Sequence, residues 1–320
     1  MRAKKLKISI CVVTYNQERY IEDCLASVIA QEVDAELEVL VGDDCSVDNT
    51  RQIISRFAMR YPELVKPIYH EKNIGPSHNY QCLIKQGDGD FIAHLDGDDF
   101  WLPGKLAAQV AFLEKNLQCA AVYANALVIN DSGDMLGRFN GLLAEEFTIE
   151  DLLRKGNFLN FSSLLYRSAC KYKLLDFVGE ALDFQYHLTL ASQGHLGFIN
   201  RALVIYRKGS AGSMVSSNVQ IVLARYWQAI VFATTLTADH ESIEKCASRF
   251  YRDLIFSALV RGRPMAIKGW GARMIRDCPS VTNFTLLKAW LQVPAAFGAE
   301  ILRAVGTVLL KGSVKTLHDR

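Results

Sequence analysis

Short apolar runs alternate with longer segments of helical periodicity over the first hundred residues of the chain. Residues 8–13, 37–41 and 65–69 form apolar, partly β-branched runs that predict buried strands. Each run is followed by apolar residues at helical spacing, and the predicted helices are residues 20–31, 51–60 and 77–86. Because a fourth strand follows, the pattern predicts an α/β fold in which helices cover both faces of a parallel sheet.

A cluster of three carboxylates follows the fourth predicted strand, residues 91–95. Asp96, Asp98 and Asp99 are interrupted only by Gly97. Like charges at this spacing repel and raise one another's pKa unless a cation lies nearby. Mg²⁺ and Mn²⁺ take oxygen ligands, and Mg²⁺ commonly binds one or two carboxylates together with substrate phosphates. The loop therefore predicts either a divalent cation site or a solvated acidic turn without a ligand.

Two further polar loops are expected at the same edge of the sheet. The first predicted strand ends in Thr14 and Tyr15. The second ends in Asp43 and Asp44. Ligands of parallel sheets bind at the carboxyl ends of the strands. Convergence of these loops with the acidic loop favours a ligand site over a solvated turn.

The rest of the chain predicts further strands and then helices only. Strands are predicted at residues 120–129, 162–166 and 198–207, and helices at about residues 103–114, 149–154 and 183–193. From about residue 219 the pattern is helical, with breaks expected at Pro264 and Pro294. We therefore predict an α/β domain over residues 1–217 and a helical C-terminal region over residues 218–320.

Composition excludes several classes of protein. The net charge of +2 argues against a nucleic-acid binder that relies on bulk electrostatics. The eight cysteines include no CxxC pair, so no zinc site is predicted, and this usage fits a reducing cytoplasm. The first apolar run is too short for a signal peptide, and no uncharged stretch reaches membrane-spanning length.

Four segments together resemble the family 2 glycosyltransferases of GT-A fold. They are VVTYNQERYIEDCLASVIAQ, VGDDCSVDNT, EKNIGPSHNY and HLDGDDFWLPGKL, and the resemblance covers roughly residues 7–210. The form DGDDFW-x-x-x-KL-x-x-Q is similar to a branch common in bacterial cell-surface polysaccharide synthesis. The resemblance implies a Rossmann-like, mostly parallel sheet flanked by helices. It also implies transfer of a sugar from a nucleotide-diphosphate sugar, usually with inversion at the anomeric carbon.

The resemblance also implies roles for the polar residues of the first two loops. Thr14 and Tyr15 would face the nucleotide, with Tyr15 against its base. Asp44 would accept the ring N–H of uracil or guanine, because a carboxylate only accepts and an imide N–H only donates. Asp43 would serve the ribose side.

Further roles follow for the third and fourth segments. Asp96 would help to hold the nucleoside. Asp98 would coordinate Mn²⁺ or Mg²⁺ on the diphosphate, where the metal neutralises charge on the leaving group. His78 stands where relatives often carry an arginine that contacts the base. Trp101 would either form the floor of the acceptor site or lie in the core.

The catalytic base of this family is a carboxylate before a helix in the second half of the domain. Within residues 179–194 the matching candidate is Asp183, with Glu180 as the alternative. A base at this position would deprotonate the acceptor hydroxyl. The structural alternative is that Asp183 only caps its helix.

Two departures from the family pattern leave other functions open. Ala181 stands where many relatives carry an aspartate, and Gly209 replaces a histidine near the phosphates, so Arg207 or Lys208 would supply the positive charge. A non-catalytic nucleotide-sugar-binding relative is therefore an alternative. A nucleotidyltransferase is another, but the first loop, TYNQER, lacks the glycine-rich sequence usual in that class.

The tail of the chain is apolar with few charges. Residues 282–311 contain Pro294, which is expected to split them into two segments too short to span a bilayer. Each segment could lie on anionic headgroups as an amphipathic helix with Trp290 inserted, or pack on the catalytic domain or a second copy in a homodimer. The first alternative suits a lipid-linked or other glycan acceptor. It would place the protein in the cytoplasm, peripherally on the inner face of the plasma membrane.

Overall fold

The structure is a computed structural model that describes residues 5–210, 219–309 and 316–318. The predicted boundary near residue 217 lies outside the described residues. The division into residues 1–217 and 218–320 therefore stays a prediction.

Among the described residues, eleven strands form a single mixed sheet. They are β1 Lys7–Thr14, β2 Glu36–Asp43, β3 Val65–Tyr69, β4 Phe91–Asp96, β5 Phe100–Trp101, β6 Cys119–Ile129, β7 Met135–Asn140, β8 Glu146–Phe147, β9 Leu165–Arg167, β10 His195–Arg207 and β11 Thr316–His318. The main order is β11-β7-β6-β9-β4-β1-β2-β3, and β10 pairs with β5, β6 and β8. Strands β3, β2, β1 and β4 are parallel, whereas β9 is antiparallel to both neighbours.

Helices connect these strands, and four α-helices follow one another between Val219 and Leu309 before β11. The α-helices in chain order are α1 Ile21–Ile29, α2 Thr50–Arg60, α3 Pro76–Gln86, α4 Lys105–Lys115, α5 Ile149–Lys155, α6 Lys171–Leu175, α7 Asp183–Ala191, α8 Val219–Ala233, α9 His240–Val260, α10 Trp270–Asp277 and α11 Asn283–Leu309. The predicted fold class, a mostly parallel sheet flanked by helices with a helical C-terminal extension, is confirmed.

The two faces of the sheet carry separate hydrophobic clusters. Side chains alternate between faces along a strand, so Ile10 and Val12 of β1 pack with α1, α2 and α4. Cys11 and Val13 belong to the opposite cluster with α3, α5 and α7. Trp227 of α8 is buried in that second cluster as well. The C-terminal helices therefore share a core with the α/β part of the chain.

The strand register brings three polar loops to one edge of the sheet. Thr14 at the end of β1 pairs with Asp43 at the end of β2. On the other side of β1, Val13 pairs with Asp96 at the end of β4. The carboxyl ends of β1, β2 and β4 are therefore level with one another, as the sequence predicts.

Three local predictions are wrong. The strand predicted over residues 162–166 is present only as Leu165 and Tyr166 of β9; residues 161–163 instead form a 3₁₀ turn, which Ser163 Oγ stabilises by donating to Asn160 O at 2.7 Å. Pro294 does not split the last helix, since about three turns before it and about four turns after it supply their own hydrogen bonds. The C-terminal region is not helical throughout, because β11 pairs in parallel with β7.

Candidate functional site

The loops that follow β1 and β2 are tied to each other. The N–H of Asn16 donates to Ser46 Oγ at 2.9 Å, and Asn16 Oδ1 accepts the N–H of Val47 at 2.9 Å. Asn16 and Cys45 adopt left-handed backbone, with φ of 52° and 64°. Such backbone is uncommon outside glycine and concentrates at ligand sites. This edge of the sheet is therefore held in a fixed conformation.

Asp43 is turned toward the protein interior. Its Oδ2 accepts from Arg51 Nε at 2.5 Å and from the N–H of Ser46 at 3.1 Å. Its Oδ1 is buried and has no hydrogen-bond partner among the described residues. Asp43 therefore fixes α2 to the end of β2. Its Oδ1 can still accept a hydrogen bond.

Asp44 anchors the loop that precedes α3. Its Oδ1 accepts the N–H of Ile74 at 2.7 Å, and its Oδ2 accepts the N–H of Gly75 at 2.9 Å. Asn73 Nδ2 also donates to the backbone oxygen of Asp44 at 3.3 Å. Each carboxylate oxygen has a second lone pair, so Asp44 retains the capacity to accept an N–H from a ligand base.

Thr14 and Tyr15 differ in exposure. Thr14 is buried against Gly97, where a Cβ would lie 2.9 Å from Thr14 Oγ1 and 2.5 Å from Gln17 Oε1. Glycine is therefore required in the acidic loop at this point. Both oxygen atoms are buried without a hydrogen-bond partner among the described residues. The Tyr15 side chain is exposed, and its ring is free to pack on a flat ligand.

Asp96 is held from two sides. His94 is buried in β4, and its Nε2 lies 3.0 Å from Asp96 Oδ1. Because an ionised carboxylate only accepts, Nε2–H is the donor. Ser162 accepts the N–H of Asp96 at 3.2 Å through a hydroxyl oxygen that also lies 3.2 Å from Asp96 Oδ2. Asp96 is thus fixed in orientation at the end of β4.

Asp99 and Asp98 bind different parts of the chain. Asp99 Oδ1 accepts the N–H of Arg207 at 2.8 Å, and its Oδ2 accepts the hydroxyl of Ser162 at 2.5 Å. Asp98 Oδ2 accepts the hydroxyl of Ser210, while Arg207 Nε donates to the backbone oxygen of Asp98 at 3.1 Å. Asp99 therefore links the acidic loop to β10 and to the 3₁₀ turn, and Asp98 retains one oxygen for a ligand.

The three carboxylates differ in their tendency to ionise. Burial, and next the charge of Asp96, raise the pKa of Asp98 to about 6, although Ser210 and Arg207 act in the opposite direction. Burial and the charges of Asp98 and Asp96 raise the pKa of Asp99 well above its usual value. Burial acts on Asp96 too, but His94 and Ser162 outweigh it and lower the pKa of Asp96. A bound cation would favour ionisation of Asp98.

Asp183 is the first residue of α7 and is exposed to solvent. The protein around it desolvates the carboxyl, and this effect together with the charge of Asp96 raises the pKa of Asp183 to about 6. The charge of His94 acts in the opposite direction. The charge of Asp96 in the acidic loop thus acts on Asp183, and the raised pKa of Asp183 suits a general base at neutral pH.

Glu180 and His78 contact each other away from the acidic loop. Glu180 Oε1 lies 3.2 Å from His78 Nδ1, and Glu180 Oε2 lies 3.4 Å from the N–H of Ser77 in the first turn of α3. His78 is half-exposed beside Ile74, the residue whose N–H binds Asp44. The structure therefore brings His78 close to the loop that is expected to bind the base of the donor nucleotide.

Trp101 is a core residue. It is buried, and its Nε1 donates to Ser162 O at 2.8 Å. Lys105 is fully buried with its Nζ 3.7 Å from the centre of the Trp101 ring, and burial lowers the pKa of Lys105.

Arg207 is buried too and lies over the Tyr20 ring at 4.7 Å. Its charge is directed at the acidic loop, which supports Arg207 over Lys208 as the cation expected there.

Sequence reasoning missed the two serines that hold the acidic loop. Ser162 lies 66 residues from Asp96 and Ser210 lies 112 residues from Asp98. One signal for Ser162 was present, because Asn160 and Ser162 interrupt the apolar run of residues 158–166 and both are buried. Buried polar residues usually have a hydrogen-bond partner to satisfy.

Comparison with known proteins gives a family match. The model of the family described as "Glycosyl transferase family 2" matches residues 9–163 of this chain. The match begins in β1 and ends at the 3₁₀ turn that carries Ser162. It includes the three polar loops and stops before Asp183.

Relatives and solved structures are similar to most of this chain. An uncharacterized protein of Mycobacterium tuberculosis is 28% identical over 300 residues, or 90% of this chain and 85% of that protein. The UDP-Glc:alpha-D-GlcNAc-diphosphoundecaprenol beta-1,3-glucosyltransferase WfgD of Escherichia coli is 28% identical over 223 residues, or 70% of this chain and 85% of that protein. Residues 1–349 of S. aureus TarS, solved with UDP-GlcNAc, superpose with a TM-score of 0.64 at 20% identity, covering 84% of this chain and 78% of that chain.

Proposed function

This chain is a glycosyltransferase of family 2, and we propose that it transfers a sugar from a uridine-diphosphate sugar to an acceptor hydroxyl with inversion. One observation carries the proposal. Asp44 and the acidic loop lie at one edge of the sheet, Asp183 lies within the electrostatic reach of Asp96 in that loop, and all three can still accept a hydrogen bond or a cation from a ligand.

The donor nucleoside would be held by the loops after β1 and β2. Asp44 would accept the imide N–H of the base, and the exposed ring of Tyr15 would pack on the base. Asp43 and Asp96 would contact the ribose side, with Thr14 beneath them. Uridine is the first candidate, because the name of WfgD contains UDP-Glc and TarS was solved with UDP-GlcNAc. His78 would border the base.

A divalent cation, Mn²⁺ or Mg²⁺, fits the residues of the acidic loop. Among the described residues no group of three or more His, Cys, Asp or Glu side chains could hold an ion unaided. Asp98 would therefore be the protein ligand, with oxygen atoms of the diphosphate and water completing the shell. When bound, the ion would neutralise negative charge on the departing nucleoside diphosphate.

Asp183 would act on the acceptor. Its pKa of about 6 leaves it mostly ionised at neutral pH while keeping it basic enough to take a proton. The acceptor oxygen would attack the anomeric carbon on the face opposite the diphosphate as Asp183 removes its proton. Arg207, which is buried against the acidic loop, would add positive charge on the side of the leaving group.

The acceptor and the cellular site are proposed from the C-terminal region. Within the described residues, no helix combines the length and the apolar character needed to cross a bilayer. Phe284, Leu287 and Leu291 nevertheless form an exposed apolar stripe on α11, next to half-exposed Trp290. A stripe at this spacing suits a helix that lies in a membrane interface.

The charge of this region supports the same placement. Residues 219–320 contain fourteen Lys and Arg against seven Asp and Glu, whereas residues 1–218 contain twenty-two against twenty-seven. A basic region beside an apolar stripe matches an anionic bilayer surface. We therefore propose a lipid-linked acceptor at the cytoplasmic face of the plasma membrane, in cell-surface polysaccharide synthesis. A homodimer through α11 is the competing use of the stripe.

A binding panel tests the proposed donor. Purified full-length protein is titrated calorimetrically with UDP, GDP, CDP and dTDP, with Mn²⁺, with Mg²⁺ and with EDTA, and nucleotide sugars of the best base are then assayed for diphosphate release. We expect UDP to bind most tightly, in a cation-dependent manner. Equal weak binding of all four nucleotides would refute the proposal.

A further inference from the structure

We propose that Glu180 is a positioning residue, which joins the loop that carries Asp183 to the loop that binds the donor base. The inference rests on the proposed function, because it assigns a task to a residue within that same site. It gives Glu180 a different role from Asp183, although the sequence makes both carboxylates candidates for the catalytic base. Four sets of contacts carry the argument.

The first set surrounds the Glu180 carboxylate itself. Oε1 lies 3.2 Å from His78 Nδ1, and Oε2 lies 3.4 Å from the N–H of Ser77 and 3.9 Å from Arg225 Nη1. The side chain is only 18% exposed. Both oxygen atoms thus lie at the N-terminus of α3, where unpaired N–H groups and the helix dipole favour a carboxylate.

The second set holds the backbone beside Glu180. The N–H of Ala181 donates to Ser77 Oγ at 2.8 Å, and Ser77 Oγ in turn lies 3.0 Å from Ala181 O. Gln81 Nε2, one turn further along α3, donates to Phe177 O at 3.1 Å. The segment that leads into Asp183 is therefore fastened to α3 at both of its ends.

The third set connects α3 with the donor loop. Gly75 N–H binds Asp44, and on its other side Gly75 faces Glu180, where a Cβ would lie 2.0 Å from Oε1. Its φ of 86° also favours glycine. Asp44 and Glu180 therefore both bind the backbone of residues 74–77. Asp183 follows Glu180 by three residues, so its position depends on that stretch.

The fourth set comes from the C-terminal helices. Arg225 of α8 is the cation that lies near Glu180 Oε2. The next residue, Tyr226, stacks on Phe184 at 4.9 Å with an angle of 5° between the rings. Phe184 directly follows Asp183. The segment before α7 is thus bound to α3, and the first turn of α7 packs on α8.

These contacts argue for positioning and against proton transfer by Glu180. A general base needs a free lone pair within reach of the acceptor. The Glu180 oxygen atoms are directed at the first turn of α3 and the side chain is only 18% exposed, whereas Asp183 is exposed and lies within the electrostatic reach of Asp96. A displacement of about 1 Å in a reacting group lowers the rate by about a hundredfold. Loss of the Glu180 contacts should therefore reduce turnover through Asp183.

The experiment compares Glu180→Ala, Glu180→Gln, Ser77→Ala and Asp183→Asn in the full chain. Turnover is measured as UDP release from the nucleotide sugar selected by the binding panel, and UDP affinity is measured by calorimetry with Mn²⁺. Glu63→Gln, in an exposed turn between α2 and β3, is the matched control. Thermal melting confirms that each variant is folded.

We expect Glu180→Ala to lower kcat by about ten- to a hundredfold, with a smaller change in UDP affinity. Glu180→Gln, which keeps the length and the acceptor oxygen, should stay within about fivefold of the wild type, whereas Asp183→Asn should lose at least a hundredfold. Adding Ser77→Ala to Glu180→Ala should cost less than Ser77→Ala does alone, since both loosen one contact.

Several outcomes would overturn the inference. An inactive Glu180→Gln beside an active Asp183→Asn would identify Glu180 as the base, and a Glu180→Gln as inactive as Asp183→Asn would show that Glu180 does more than position Asp183. Wild-type turnover in Glu180→Ala would show that the contacts do not position Asp183. In each of these cases the wild type binds UDP and the proposed function stands. A wild type that neither binds nucleotide nor turns over a nucleotide sugar would overturn the proposed function and this inference together.

Discussion

Replacement of Asp98 by asparagine should stabilise the protein when no cation is present. Burial and the charge of Asp96 raise the pKa of Asp98 from 3.8 to about 6. The folded protein then binds more protons than the unfolded chain between those two values. Stability consequently falls as pH rises from about 4 to about 6, and the whole penalty is present above pH 6. Asparagine cannot ionise and lacks this penalty.

The size of the effect follows from the same difference in pKa. About two pKa units correspond to about 3 kcal/mol. Asp98 is partly exposed, and solvent screening reduces that figure to about 1–2 kcal/mol. The entropy of unfolding of a chain of this length, about 0.7 kcal/mol/K, converts this to a rise in Tm of about 1.5–3 °C. The asparagine side chain would still accept the hydroxyl of Ser210, so no bond need be lost.

Thermal melting in EDTA and in Mn²⁺ checks this reasoning. At pH 7.5 in EDTA the Asp98→Asn variant should melt above the wild type, and the gap should shrink toward pH 4.5. Added Mn²⁺ with UDP should stabilise the wild type and leave the variant almost unchanged, because ligand binding to the folded state raises stability. A variant that melts below the wild type in EDTA would refute the electrostatic argument. An undiminished response to Mn²⁺ would refute the role of Asp98 as a metal ligand.

Three further predictions concern catalysis, the support of the acidic loop and the membrane. Asp183→Asn should lower turnover by about 10²- to 10⁴-fold with UDP affinity unchanged, and wild-type kcat at pH 5 should be about a tenth of its plateau, because protonation disables a base of pKa about 6. A flat wild-type profile from pH 5 to 8 would exclude that assignment. Ser162→Ala should destabilise the protein by about 1–3 kcal/mol in chemical denaturation, since the buried carboxylate of Asp99 loses its hydroxyl donor and the N–H of Asp96 loses its acceptor; a loss below about 0.5 kcal/mol would contradict it. In liposome flotation with anionic lipid the full-length protein should float, and the double variant Leu287→Glu, Leu291→Glu should not. If both sediment and the wild type is dimeric, the stripe on α11 is an oligomer surface.

The sequence pattern located most of the sheet because most residues of its main strands are apolar and buried. Residues 65–69 are a strand with the predicted bounds, and the strands before and after differ by one or two residues at their ends. The errors arose where long-range contacts decide local structure. Residues 316–318 form a strand because they pair with the edge of β7. Ser162 lies in a 3₁₀ turn, where its hydroxyl donates to Asp99 in the acidic loop. Neither contact leaves a periodic signal in the sequence.

The candidate site was predictable by residue type and only in part by orientation. Asp43 and Asp44 are neighbours, so a strand end points them in opposite directions. The carboxylate of Asp43 is directed to Arg51 inside the protein, whereas that of Asp44 is directed to the loop before α3. Period-two alternation states that the two must differ. Only the position of Arg51 in the folded structure determines which of them faces inward.

The three carboxylates of the acidic loop cannot be told apart from the sequence, but the structure gives each of them different partners. Asp99 uses both oxygen atoms on the protein, and burial keeps its pKa high. Asp96 is the one whose pKa is lowered, because His94 lies beside it. Asp98 lies between these extremes with one oxygen uncommitted. The partners that separate them come from β4, the 3₁₀ turn and the end of β10. The role proposed for each carboxylate of the DGDD sequence therefore depends on a partner that another part of the domain supplies.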